Sequence, residues 1–201
     1  LFLTYVDPGD EVVSPWRSFE VYPIDTMLMG AALVPVPLVA GAFDLDAVAD
    51  AVTARTKLVL IATPTNPTGP AVSTAALRPM LERIPSSVIV LIAEAYREFV
   101  AASFGDPVHD LLPDFSNVVV SRSMSKAYGL AGLRVGYLVG HPDVVAEIDA
   151  IRRVLGRVLR LAGQTRYLEL DRSNDAGALS PPTARLPHGS NGLRCVRGHA
   201  L

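Results

Sequence analysis

The chain has 201 residues, of which half are hydrophobic, and a mean hydropathy of +0.33, so it holds enough apolar material for a sizeable core. The longest uncharged stretch, residues 27–43, is shorter than the roughly 20 residues of a membrane-spanning helix and contains two prolines. One cysteine excludes an internal disulfide, and no basic segment precedes an apolar leader, so we expect a cytoplasmic protein. Because the chain starts at Leu1 without Met, we expect that it begins inside a domain.

Charge divides the chain into two parts. Residues 1–150 hold 9 Lys and Arg against 17 Asp and Glu, whereas residues 151–201 hold 9 against 3. We therefore predict a folded part over residues 1–154 and a divergent, poorly ordered basic tail over residues 155–201. A shifted reading frame or a decayed gene also fits the change in composition. Because the basic residues are scattered and lack interleaved aromatics, we predict no nucleic-acid or membrane partner.

The first elements are read from turn residues and apolar spacing. Residues 7–10 form a turn, and residues 11–14 form a short strand that Pro15 ends. Helical spacing begins at Trp16 and predicts a helix that continues to Leu28 and closes at Gly30. A strand over residues 32–37 and an amphipathic helix over residues 44–53 follow.

The rest of the folded part alternates strands with helices. We predict strands over residues 57–62, 88–93, 117–121 and 133–140, and helices over residues 73–84 and 142–154. Ser73 or Thr74 caps the first of these helices. Two of the strands are continuous apolar runs, which is typical of strands buried on both faces of a parallel sheet. The alternation predicts an α/β fold in which helices flank a mostly parallel sheet.

Polar clusters follow three of the predicted strands, at residues 64–69, 94–99 and 121–126. Because ligands bind beyond the carboxyl ends of parallel strands, we expect these clusters to meet in one site. Lys126, one of two lysines, lies there among small residues. A lysine that is partly desolvated at a strand end suits attack on a carbonyl carbon, and Ser123, Ser125 and Arg134 suit a phosphate cradle. A solvated lysine in a glycine-rich loop is the alternative, and the spacing excludes a P-loop.

Three ordered motifs carry a family resemblance over residues 7–151. Ser-Met-Ser-Lys-Ala-Tyr-Gly-Leu-Ala-Gly-Leu-Arg-Val-Gly-Tyr from Ser123, Asn-Pro-Thr-Gly from Asn66 and Glu-Ala-Tyr-Arg-Glu-Phe from Glu94 resemble fold-type I pyridoxal-phosphate aminotransferases of the histidinol-phosphate aminotransferase group. The segment from Trp16 to Pro23 is most similar to actinobacterial aromatic-amino-acid aminotransferases, of the phenylalanine type. The resemblance implies that residues 1–154 are an incomplete large domain and that the tail replaces the small C-terminal domain.

The resemblance also implies roles for individual residues and partners. Lys126 would hold pyridoxal 5′-phosphate covalently and move the substrate proton, and no metal is implied. The other residues implied to contact the cofactor are Phe19 on its ring, Asn66 and Tyr96 on its 3′ oxygen, and Ser123, Ser125 and Arg134 on its phosphate. The substrates would be an amino acid and a 2-oxo acid such as 2-oxoglutarate, and the family implies a homodimer. Histidinol phosphate is the alternative amino donor, and a cofactor-binding remnant without turnover is the alternative to an enzyme.

One residue departs from the family pattern in a way that bears on catalysis. The family has aspartate where this chain has Ala93, and that carboxylate keeps the pyridine nitrogen of the cofactor protonated. The adjacent Glu94 is expected to point to the opposite face of its strand, so it cannot substitute. We therefore expect slow transamination, impaired further by truncation, although the cofactor can still bind.

Overall fold

The computed structural model describes residues 1–161 and 194–198, with side chains described for residues 1–154. Its strands form one sheet in the order β2-β1-β3-β4-β5-β6-β7. Their bounds are β1 Glu11–Trp16, β2 Ala32–Pro37, β3 Thr56–Ala62, β4 Ile89–Ala93, β5 Val118–Ser123, β6 Gly136–Gly140 and β7 Arg194–Gly198. The first five strands are parallel to one another, and β6 and β7 each pair antiparallel with the strand before them. The mostly parallel sheet predicted from the sequence is therefore confirmed.

Helices cover both faces of this sheet. They are α1 Phe2–Tyr5, α2 Val21–Leu28, α3 Leu45–Asp50, α4 Thr74–Arg83, α5 Pro107–Asp110 and α6 Pro142–Leu161, with short 3-10 turns at Arg97–Phe99, Ala102–Phe104 and Ala131–Leu133. One face, which we call the α4 face, packs against α3, α4 and α5. The other, which we call the α2 face, packs against α1, α2 and the start of α6. No helix in the described part of the chain is long and apolar enough to cross a membrane.

The core is built on the two continuous apolar runs of the sequence. In β3, Val59 and Ile61 pack on the α4 face, whereas Leu58 and Leu60 pack on the α2 face, and all four are fully buried. The strand β4 alternates in the same way. At roughly 25 cal/mol per Å² of apolar surface, burial on two faces makes these central strands a main source of the folding free energy. Their rigid ends then position the loops that follow them.

The structure differs from the predicted elements at both ends of the described part. Pro15 does not end β1, which continues to Trp16 opposite Pro37 of β2, and the predicted helix begins at Val21 instead of Trp16. Pairing with β2 overrides the helical spacing here. Beyond its third residue, Val13, β1 pairs with β2 alone, so Pro15 is tolerated in the strand. The last helix runs to Leu161, seven residues past its predicted end.

Two pieces of the predicted tail are described. Residues 155–161 complete α6, and residues 194–198 form β7 along β6. The remaining tail residues lie outside the described residues. The boundary at residue 154 and the poorly ordered tail therefore stay predictions.

Candidate functional site

The carboxyl ends of three neighbouring strands lie side by side, as their parallel pairing requires. Ala62 of β3 pairs with Ala93 of β4, which pairs with Ser121 of β5. The loops that follow these residues carry the polar clusters identified in the sequence. The structure therefore brings residues 64–69, 94–99 and 121–126 to one edge of the sheet, as predicted.

Lys126 lies beside Tyr96 at this edge. Its Nζ is 5.4 Å from the centroid of the Tyr96 ring, and its side chain is exposed instead of partly desolvated as the sequence suggested. Between β5 and Lys126, the Ser123 hydroxyl accepts a 3.1 Å hydrogen bond from the backbone N–H of Ser125. That bond folds the chain back so that both serines lie next to the lysine in a half-buried turn. An amine and an aromatic ring thus lie together, beside a turn that carries two hydroxyls.

The loop segment that carries Arg134 returns to the same turn. The backbone N–H of Met124 donates to the Val135 carbonyl at 3.1 Å, and that of Leu130 donates to the Met124 carbonyl at 3.0 Å. Arg134 precedes Val135 in a left-handed conformation, with φ of 52°, and its Nη1 donates to the Ala131 carbonyl at 3.3 Å. The loop between β5 and β6 therefore brings the backbone next to Arg134 back to the serine turn, while the Arg134 guanidinium contacts the Ala131 carbonyl.

Asn66 and Phe19 lie on neighbouring connections of the same edge. Asn66 is exposed in a loop closed by hydrogen bonds from Thr65 N to Pro70 O and from Gly69 N to Thr65 O. Phe19 follows β1, is 44% exposed and meets the Tyr22 ring edge-on at 5.7 Å. Among the residues that the structure describes, no hydrogen bond or ring contact links either side chain to Lys126.

The two faces of the sheet separate Ala93 from Glu94. Ala93 packs on the α2 face, in the same row as Ala62 and Ser121. The Glu94 side chain is 3% exposed and contacts Arg122. Arg122 lies on the same face of β5 as Val118 and Val120, which pack on the α4 face. The alternation expected from the sequence is therefore observed, and Glu94 is committed to a partner on the other side of the sheet.

Behind the edge lies an ionic cluster around the buried Glu94, to which the sequence pattern assigned no role. Arg122 donates from Nε to Glu94 Oε2 at 2.8 Å and from Nη2 to Asp106 Oδ1 at 2.6 Å. Arg97 adds a longer ion pair to Glu94, at 3.6 Å. The signal in the sequence was an arginine and a glutamate at the carboxyl ends of adjacent apolar strands, in positions that share a face.

Burial and charge act in opposite directions in this cluster. Burial raises the pKa of Glu94 above its ordinary value, and the neighbouring Arg122 and Arg97 offset only part of that rise. Burial also acts to raise the pKa of Asp106, but Arg122, the Val108 N–H and Arg97 outweigh it and leave the pKa lowered. Arg122 itself has a raised pKa because its two carboxylate partners outweigh its desolvation. Glu94 and Asp106 thus both depend on Arg122, and removing Arg122 would leave the two carboxylates without their main cationic partner.

Comparison with known proteins decides the family. Residues 1–160 match the family model described as aminotransferase class I and II. The chain belongs to this family. It is 52% identical over 143 residues to an aromatic amino acid aminotransferase of Streptomyces coelicolor, which covers 70% of this chain and 40% of that protein. It is 46% identical over 150 residues to histidinol-phosphate aminotransferase 1 of Idiomarina loihiensis, covering 75% and 41%.

Solved structures of aminotransferases share the fold. A histidinol-phosphate aminotransferase from Sinorhizobium meliloti, crystallised with pyridoxal 5′-phosphate, superposes with a TM-score of 0.71 at 30% identity, over 75% of this chain and 41% of that one. The chain thus spans about two fifths of the length of the aminotransferases it matches. Class I and II aminotransferases depend on pyridoxal phosphate, so the residues at the sheet edge can be tested against that cofactor.

The donor set of this aminotransferase chain fits pyridoxal phosphate with one exception. A primary amine suits its aldehyde, and two hydroxyls with a guanidinium suit its phosphate. In addition, Ser18 is 1% exposed in the connection that follows β1, and its hydroxyl has no hydrogen-bond partner among the residues that the structure describes. A buried hydroxyl without a partner indicates that one is missing. The exception is Ala93, which offers no carboxylate on the α2 face.

Proposed function

We propose that this chain binds pyridoxal 5′-phosphate through Lys126 and acts as an aminotransferase that moves an amino group from an aromatic amino acid to 2-oxoglutarate. The observation that carries the proposal is the placement of Lys126 beside Tyr96, Ser123 and Ser125 at the carboxyl edge of the sheet. The phenylalanine-type donor is supported by relatives of about 50% identity that are named aromatic amino acid aminotransferases. The proposed activity is that of a whole aminotransferase, and this chain spans only part of the length of such a protein.

Each site residue has a specific task in this proposal. When bound, pyridoxal phosphate supplies a ring that withdraws electrons from the substrate Cα. The Lys126 amine would hold the cofactor and would accept and return the proton of the substrate Cα. Ser123, Ser125 and Arg134 would bind its phosphate, Asn66 and Tyr96 would donate to its 3′ oxygen, and Phe19 would contact its ring.

Ala93 is proposed to impair catalysis without preventing cofactor binding. A carboxylate at this position would oppose the ring nitrogen from the α2 face, and Glu94 cannot reach it because Arg122 holds it on the α4 face. Loss of one preorganised electrostatic partner typically lowers a rate by about 10²–10³. A chain that binds the cofactor but turns over slowly is therefore the expected phenotype.

Histidinol phosphate is the second candidate donor. The relative from Idiomarina loihiensis, at 46% identity, carries that name, and so does the solved structure from Sinorhizobium meliloti. A cofactor-binding remnant without turnover is the third candidate, and Ala93 is the observation that favours it. A homodimer and a cytoplasmic location are proposed on family grounds.

Covalent capture of the cofactor tests the binding part of the proposal. The chain is incubated with pyridoxal phosphate, reduced with borohydride and digested, and the modified lysine is identified by mass spectrometry. Lys126→Arg retains the positive charge but removes the primary amine, so we expect it to abolish the adduct. Lys57→Arg, at the only other lysine, is the matched control and is expected to retain it. An adduct on Lys57 alone, or none, would overturn the proposal.

Turnover tests the remaining part. Phenylalanine and histidinol phosphate are compared as donors to 2-oxoglutarate, and we expect the faster turnover with phenylalanine. Ala93→Asp restores a carboxylate on the α2 face and is expected to raise kcat by about 10²-fold or more. If a folded, cofactor-loaded Ala93→Asp variant shows no gain, the role given to Ala93 is wrong. If the unaltered chain and the Ala93→Asp variant both bind the cofactor without turnover, the chain is a cofactor-binding remnant.

A further inference from the structure

Arg122 connects the two segments that carry the proposed cofactor contacts. Glu94 lies two residues before Tyr96, and Arg122 lies one residue before Ser123 and four before Lys126. The backbone N–H of Glu94 also donates to the Ser121 carbonyl at 2.8 Å, which extends the pairing of β4 and β5 by one residue. The side-chain bridge therefore ties the start of the loop after β4 to the end of β5, next to Ser123.

The bridge is partly buried and charge-assisted. Arg122 reaches Glu94 Oε2 from both Nε and Nη2, at 2.8 and 2.7 Å, and its side chain is 15% exposed. Its contact with Asp106 brings in a third segment, because the Asp106 carboxylate also caps α5 by accepting from the Val108 N–H at 3.0 Å. A planar guanidinium that spans two carboxylates restricts the rotation of every group it touches. The three segments are thus fixed relative to one another.

The cluster does not touch the site that it supports. Arg122 and Glu94 extend toward the α4 face, whereas Ala93, Ser121 and Ser123 belong to the α2 face. On the site side, the Lys126 amine lies over the Tyr96 ring at 5.4 Å in a cation–π contact, and no hydrogen bond fixes the two side chains to each other. Their relative position is therefore set by the backbone segments that the Arg122 bridge holds.

We propose that Arg122 is a positioning residue for cofactor binding, because its bridge to Glu94 and Asp106 sets the placement of Tyr96 relative to Lys126. The inference rests on the proposed function, since it assumes that Lys126 holds pyridoxal phosphate. It goes beyond that function by assigning a role to a residue on the opposite face of the sheet. It predicts that removing Arg122 weakens the site although every group that would contact the cofactor is still present.

The test measures equilibrium binding of pyridoxal phosphate to the full 201-residue chain by the absorbance of the bound cofactor. Arg122→Met is expected to weaken binding about 10- to 100-fold, by analogy with the loss typical when residues that orient metal ligands are removed. Arg122→Lys should give an intermediate loss, because an ammonium cannot span both carboxylates as a fork. Arg83→Met is the matched control, since Arg83 also bridges two carboxylates, Asp46 and Asp50, but lies away from the site.

A double variant guards against simple unfolding. Arg122→Met alone leaves Glu94 buried without its main partner, which can unfold the chain. The variant Glu94→Gln/Arg122→Met removes both charges, so it is expected to fold, as checked by circular dichroism. It should still bind pyridoxal phosphate more weakly than the unaltered chain, because the two loops are no longer tied.

The pH dependence of the bound-cofactor absorbance separates positioning from general stability. The hydroxyl of Tyr96 would donate to the cofactor 3′ oxygen, and loss of that hydrogen bond raises the proton affinity of the nitrogen linked to Lys126. We therefore expect the double variant to shift the absorbance transition to higher pH. A folded double variant with unchanged affinity and an unchanged transition overturns the inference alone. Absence of cofactor binding by the unaltered chain overturns the proposed function and this inference together.

Discussion

Glu94 shows how strongly one residue position decides chemistry in this sheet. It follows Ala93 directly, yet its carboxylate lies on the other face, where Arg122 and Arg97 are its partners. Successive side chains of an extended strand alternate between faces, so a one-residue offset cannot be corrected by rotamer choice. The carboxylate that this chain retains therefore supports structure, whereas the position facing the candidate site holds a methyl group.

The buried Glu94 carboxyl gives a pH dependence of stability with a defined sign. Burial raises the pKa of Glu94 above its ordinary 4.5, so the folded chain holds this proton more tightly than the unfolded chain. The stability due to Glu94 is then complete below its unfolded pKa and decreases as the pH rises through the higher folded value. We expect the unfolding free energy of the chain, relative to that of Glu94→Gln, to decrease as the pH rises above about 4.5.

Urea denaturation at a series of pH values measures this difference. Asp106, whose lowered pKa gives the opposite slope, is present in both proteins, so its contribution largely cancels. Glu98→Gln serves as the control for removal of an exposed carboxylate from the same loop. A difference that stays constant or increases with pH would contradict the assigned burial of Glu94.

At the scale of elements, Gly136 allows β6 to approach β5 beside the candidate site. A Cβ on Gly136 would lie 2.9 Å from the Arg122 carbonyl oxygen, which is closer than real Cβ contacts allow. We expect Gly136→Ala to destabilise the chain by about 1–3 kcal/mol, because backbone must shift to accept the methyl group. It should also weaken cofactor binding, since the shift displaces the residues that lead to Ser123.

Gly132→Ala is the matched control for this prediction. Gly132 also lies between β5 and β6, but a Cβ there meets no atom within 4 Å. Its effect on stability is expected to stay within about 0.5 kcal/mol. Thermal unfolding of both variants checks the comparison, and equal stability of the two would show that the close approach of β6 is unimportant.

Elements with strong local signals were predictable from the sequence. The apolar runs of β3 and β4 and the cap of α4, where the Ser73 hydroxyl accepts from the Ala76 N–H at 3.2 Å, were placed within a residue of their observed positions. The segment after Pro15 was not, because the pairing of Trp16 with Pro37 is a contact between distant residues. Local spacing does not contain that information. The direction of β6 was not predicted either, although a connection without a long helix favours an antiparallel pair.

The site was predictable to the extent that topology alone determines it. Parallel strands bring their carboxyl ends to one edge, so Asn66, Tyr96, Ser123 and Lys126 had to lie at or just after neighbouring strand ends. The partners of Arg122 were not predictable, because Asp106 reaches it from a loop outside the strands. Side-chain pairing across such loops depends on their three-dimensional course.

At the scale of the whole molecule, the outer side of α2 exposes three large apolar side chains. Ile24, Met27 and Leu28 are 50%, 69% and 73% exposed, whereas Tyr22 and Thr26 on the inner side are buried. Exposed apolar surface of this kind is typical of protein contacts. The homodimer proposed on family grounds needs such a surface, and α2 supplies one within this chain.

We therefore expect the chain to associate with itself through α2. Ile24→Glu/Leu28→Glu places two charges on the outer side of the helix without changing its buried residues, so it should shift the sedimentation coefficient toward that of a monomer. Val39→Glu is the control, because Val39 is 60% exposed but lies in the connection that leads from β2 to α3. The new glutamates weaken association only where a second copy would cover them, because they would then repel each other and lose their hydration. Association that survives the α2 double variant, or is lost equally with Val39→Glu, would show that another surface joins the copies.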